Sequence, residues 1–137
     1  MNHFETDLWT THLPEGWQGE ASDDAEEGVV LFDPDGVGEL QITVTEKDDG
    51  LIDEEDLEYF AEDLIEQDIP FKRVRIGEFQ GLQFEFEEDG EDGPEFVREW
   101  YLAFDELFFY VTYACDVADK HQEDKAVHDI LKAIAFH

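Results

Sequence analysis

Positive charge is scarce in this chain. Its 137 residues hold 8 Lys and Arg against 39 Asp and Glu, for a formal charge of −31. Nucleic-acid binding needs cations that displace phosphate counterions, and anionic membrane surfaces need the same, so the composition argues against both partners. Cysteine is nearly missing. Cys115 alone excludes an internal disulfide and a cysteine zinc cluster. Serine is represented only by Ser22, in an acidic stretch without the glycine frame of a nucleophile elbow, which leaves serine-hydrolase chemistry unsupported. No run approaches the roughly 18 apolar residues of a membrane span. Met1 to Asp7 shows no basic segment followed by an apolar run, so it does not read as a secretory signal, and a soluble cytoplasmic protein is expected.

What is present is the material of a core. The chain is 42% hydrophobic and 14% aromatic, with 12 Phe and 3 Trp. Disordered segments combine high charge with few such residues, so the expectation is one domain, residues 1–137, with a filled core under an anionic surface. Three origins fit that surface: a salt-rich cytoplasm that screens self-repulsion, a cationic partner protein steered by the field, or drift in an acidic proteome.

Seven extended runs follow from alternation or continuous apolarity: Leu8–Leu13, Val29–Phe32, Glu39–Glu46, Phe71–Phe79, Leu82–Glu87, Glu95–Phe104 and Leu107–Cys115. Residues 18–27 read as a polar loop and residues 88–94 as a chain-reversing loop. Asp105-Glu106 is a poor two-residue turn, which suggests a longer connection there. A helix is predicted over 53–67, capped by Asp53, barred from continuing by Pro70, with Leu57, Phe60, Ala61, Leu64 and Ile65 as its core face. A second helix is predicted over Asp119–Phe136 with Val127, Ile130, Leu131 and Ile134 as its stripe. The expected class is α+β: a single antiparallel sheet of about six to seven strands flanked by two helices.

The order of these elements resembles the PsbP-like and DcrB-like superfamily of α/β/α sandwiches. The likeness is carried by Leu13-Pro14-Glu15-Gly16-Trp17, the strands ending near Val44, the helix at 53–67 and Ile76-Gly77-Glu78-Phe79-Gln80-Gly81. Val97-Arg98-Glu99-Trp100-Tyr101 and Ile130-Leu131-Lys132-Ala133-Ile134-Ala135-Phe136 complete it. The resemblance implies the sandwich fold and an accessory or binding role of the kind its mostly non-enzymatic members play. It carries over no catalytic residue.

Candidate chemistry is thin. Asp33-Pro34-Asp35-Gly36-Val37-Gly38-Glu39 has calcium-loop features, but Val37 and Val44 occupy ligand positions, and a strand-connecting turn is the better reading. Asp124 and His128 at i,i+4 are half of a metal site or a surface contact. Cys115, with no neighbouring base in sequence, reads as packing. Lys72, Arg73 and Arg75 cluster on one strand and read as partners for internal carboxylates, as does Arg98 for a helix carboxylate. No catalytic residue, metal or cofactor site is assigned. The contact surface assigned is the outer face of the first helix: Glu55, Tyr59, Glu62, Asp63 and Glu66, with Tyr59 read as an interface anchor or as a side chain lying against a loop. The expected function is a non-enzymatic protein-binding accessory, chaperone-like or toxin-neutralising, whose partner is a protein of cationic character. The alternative is a small-molecule binder or enzyme with a sheet–helix cleft near Arg98, Tyr101 and Tyr113.

Overall fold

Leu40, Ile42 and Val44 alternate with polar residues along the strand that anchors the main sheet. The computed structural model describes residues 2–5, 9–21, 28–46, 54–77, 79–90, 93–104 and 107–136. In chain order the strands are β1 (Asn2–Glu5), β2 (Trp9–Leu13), β3 (Gln18–Ala21), β4 (Val29–Phe32) and β5 (Gly38–Glu46). Helix α1 (Glu54–Glu66) leads to β6 (Phe71–Ile76), β7 (Phe79–Gly90), β8 (Gly93–Phe104) and β9 (Leu107–Asp116). A 3-10 turn (Val117–Asp119), α2 (Asp124–Lys132) and β10 (Ala135–Phe136) close the chain. The main sheet is antiparallel and seven-stranded, in the order β3-β4-β5-β9-β8-β7-β6, with β3 and β6 as its edges. One helix packs on each face, as the sandwich reading expects.

The seventh strand of that sheet is not the one expected. Trp9–Leu13 leaves it for a three-stranded sheet, β1-β2-β10, stacked over the main one. Trp9, Thr11 and Leu13 are buried on the inner side, and the Thr11 hydroxyl donates to the Ile130 carbonyl of α2 at 2.7 Å. Its place is taken by Gln18–Ala21, within the stretch that reads as a loop. An edge strand bonds to its neighbour through its backbone, so its side chains need not advertise it.

Four boundaries and connections also differ from expectation. Ile76 pairs with Phe79, so the break in Phe71–Glu87 comes at Gly77, whose φ of 58° suits glycine. Gly81 instead sits inside β7, where a Cβ would lie 1.8 Å from the Tyr101 carbonyl oxygen. Asp89 pairs with Pro94 and Gly90 with Gly93, extending β7 and β8 through the expected loop. Phe104 pairs with Leu107, so the connection at 105–106 is two residues after all. The last helix is shorter than 119–136, because the chain turns at Ala133 to pair Ala135 and Phe136 with β2.

Directly paired residues share a face, so register sorts the sheet into two. Trp100, Leu102, Phe109, Val111 and Tyr113 face α2 and β2 in the larger core. Leu82, Phe84, Tyr101 and Phe108 face α1 in smaller clusters with Leu57, Ala61 and Leu64. The helix stripe is narrower than its spacing implies: Ile65 is 61% exposed. The expected cap Asp53 lies outside the described residues.

Candidate functional site

Helix α1 carries seven carboxylates and no Lys or Arg in 13 residues. Its core stripe fixes the opposite arc outward, and Glu55, Tyr59, Glu62, Asp63 and Glu66 share that exposed arc. Tyr59 is 72% exposed and touches the ring of Phe60 edge-on, so it does not lie against a loop. Tyr59 and Ile65 stand about 120° apart around the helix, with Glu55, Glu62 and Glu66 between them. Asp63 accepts a hydrogen bond from the Gln67 side chain at 2.8 Å. On the flank toward β6, Glu58 pairs with Arg73 as expected, whereas Arg75 has no ion pair among the described residues.

Beyond α1 the same sheet face lies open. Phe60 stacks on Phe108 and packs against Tyr101, which stacks on Tyr110. Tyr110 is 38% exposed and donates its hydroxyl to the buried carboxylate of Glu99. Burial first, then Glu99, holds the Tyr110 phenol well above its ordinary range. Farther along, a depression of about 550 Å³ is floored by Gln41, Thr112 and Ala114 and rimmed by Glu39, Glu95 and Asp116. Apart from Arg73 and Arg75 at the β6 edge, no Lys or Arg among the described residues stands on this side. Lys72 and Arg98 face the other way by register, and Lys120, Lys125 and Lys132 belong to the α2 segment.

The remaining candidates are committed to structure. Arg98, 12% exposed, bonds Glu85 through Nε and Nη2 and Asp124 at the start of α2 through Nη1, and lies over Phe96 and Trp100. Asp124 also meets His121 at 2.8 Å, so its partners are Arg98 and His121 rather than His128. The Asp33 carboxylate accepts from the Asp35 backbone N–H at 2.9 Å, closing the β4–β5 turn. Burial raises the Cys115 thiol pKa, which suits packing rather than attack. Register also divides the expected cleft: Arg98 and Tyr113 lie on the α2 face and Tyr101 on the α1 face, so the three line no common pocket.

Glu123 is a structural carboxylate that sequence reasoning passes over. It is buried and accepts from the Gly38 backbone N–H at 3.0 Å and the Tyr113 hydroxyl at 2.6 Å, tying the α2 approach to β5 and β9. Burial, then the bond to Glu123, raises the Tyr113 pKa far above the ordinary tyrosine value of about 10. Above that value the unfolded chain releases this proton while the native state keeps it. Stability is therefore expected to hold below pH 10 and to fall above it, by up to about 1.4 kcal/mol per pH unit for this residue. Urea midpoints across the alkaline range check this. Tyr113→Phe should flatten the decline, and equal slopes in both proteins would refute the assignment.

With this geometry in place, the chain can be set beside known proteins. No protein-family model matches it, and no curated protein sequence does. A protein of Bacteroides thetaiotaomicron VPI-5482 superposes with TM-score 0.68 at 15% identity, over 94% of this chain and 45% of that one. LpqN of Mycobacterium tuberculosis, involved in cell envelope biogenesis, gives TM-score 0.66 at 12% identity, over 93% of this chain and 82% of LpqN. The fold is shared. Cyanobacterial PsbP (CyanoP) from Synechocystis sp. PCC 6803 aligns over 99% of this chain and 92% of its own, at 11% identity and TM-score 0.49. At such identities the likeness is one of architecture: the chain shares its sandwich fold with the Bacteroides protein and with LpqN. It spans less than half of the Bacteroides protein.

Proposed function

We propose that this chain is a non-enzymatic accessory protein of the cytoplasm that docks a cationic partner protein on the outer face of α1. The observation that carries the reading is the exposure of Tyr59 and Ile65 on a helix whose other outward residues are acidic. An aromatic and an aliphatic side chain framed by like charges supply apolar contact, and the field selects a basic surface. Five of the seven described Lys and Arg lie away from this face, with Arg73 and Arg75 at its β6 edge, and that uneven spread favours a partner-driven origin for its charge. A chaperone-like or toxin-neutralising role fits a small acidic binder of this kind.

The test is capture from the native cell at matching salt, with the wild type beside Tyr59→Ala/Ile65→Ala. Both side chains are exposed, so the double variant should keep its thermal stability within about 0.5 kcal/mol. The expected result is a basic protein held by the wild type and bound roughly tenfold or more weakly by the variant, with affinity falling as salt rises. Equal retention by both forms, or no specific partner in repeated captures, would remove the proposal.

A further inference from the structure

His3 and His12 stand on successive strands and are brought together by the β1–β2 register, which pairs them directly. Their ring centroids are 5.4 Å apart with an interplanar angle of 63°. Phe4, Trp9, Thr11 and Leu13 take the inner side of this sheet, which leaves His3, Glu5, Thr10 and His12 on the outer side. Glu5 Oε2 lies 3.8 Å from His3 Nε2. Two imidazoles and a carboxylate thus share one solvent-facing patch.

We propose that His3, His12 and Glu5 bind a late first-row divalent metal ion, with Zn²⁺ as the representative case. An ion about 2.0–2.1 Å from one nitrogen of each ring lies about 3.2 Å from each centroid, and a tetrahedral angle then separates the centroids by about 5.2 Å. The observed spacing fits a shared ion. Among the described residues no three such groups are already set around one point, so Glu5 closes the site by rotation of its exposed side chain, leaving a position for water. Imidazole ligands favour zinc, nickel and copper over magnesium and calcium, and the anionic field concentrates any divalent ion nearby. The bound ion would fasten β1, which among the described residues pairs with β2 alone, to the rest of the molecule.

The experiment is calorimetric titration with Zn²⁺ in about 1 M NaCl, where diffuse attraction is screened, with excess Mg²⁺ occupying ordinary carboxylates. One ion per chain is expected. His3→Ala and His12→Ala should each weaken binding at least about tenfold, because losing even an outer-shell partner of a ligand costs roughly 10- to 100-fold. Glu5→Gln should weaken it less, and His121→Ala and His128→Ala should leave it unchanged. Zn²⁺ should raise the melting temperature of the wild type and not of the His3→Ala/His12→Ala double variant, whose metal-free melting shows whether it is folded. Equal Zn²⁺ affinity in wild type and double variant, or no binding above the Mg²⁺ background, would overturn the site.

Discussion

Moving the protein from about 1 M to about 0.01 M NaCl is expected to lower its melting temperature by roughly ten degrees or more. The Debye length grows over that range from about 3 Å to about 30 Å, so carboxylates that ignore one another in concentrated salt begin to interact. A pair about 10 Å apart in water repels by about 0.4 kcal/mol when unscreened. Helix α1 alone packs seven carboxylates into 13 residues, and the whole chain has 39 acids against 8 bases. Unfolding spreads these charges and relieves part of the strain, which leaves a net loss on the order of several kcal/mol from a typical reserve of about 5–15. Melts followed by circular dichroism across a NaCl series measure this, and replacing NaCl with choline chloride separates screening from binding of particular ions. A melting temperature that stays fixed from low to molar salt would contradict the whole electrostatic account.

Phe109→Ala should be among the most damaging single changes, at about 3–5 kcal/mol. Phe109 is fully buried, meets Phe79 at 4.8 Å and Trp9 at 6.1 Å between centroids, and so joins the main sheet to the smaller one above it. Few side chains could fill the space it leaves. Its neighbour Phe108 points to the α1 face and is only half-buried, so Phe108→Ala should cost clearly less. Urea unfolding at high salt compares the two, with urea chosen because guanidinium would itself screen charge. A loss below about 1 kcal/mol for Phe109→Ala would mean that the two sheets do not depend on each other as described.

The elements legible in the sequence are those whose side chains do the packing. Helix α1 announces itself through Leu57, Ala61 and Leu64, and β8 and β9 through long apolar runs, although β9 is fully buried on its α2 side alone. What stays hidden depends on backbone pairing or on register. Gln18–Ala21 has no strand-like composition, yet β4 supplies its hydrogen bonds. Ala135 and Phe136 look like the last turn of a helix until β2 offers them partners. The outer face of α1 is readable because helical period alone sorts Tyr59 and Glu62 from Leu57 and Leu64. His3 beside His12 is not readable, because nothing within either segment fixes their alignment. Glu99 had one available signal, a carboxylate beside Val97, Trp100 and Tyr101, whereas Glu123 lies among polar residues and had none. Burial turns each into an acceptor for a tyrosine.

The edges of the main sheet acquire a particular importance in concentrated brine. There the mutual avoidance of acidic molecules is switched off, and whatever keeps neighbouring sheets from zipping together must act at contact. β3 offers a template only four residues long. β6 is longer, but Lys72, Arg73 and Arg75 would have to shed their hydration for another strand to align there. Three of the chain's few bases thus serve as guards against fibre growth under the one condition in which its acids cannot.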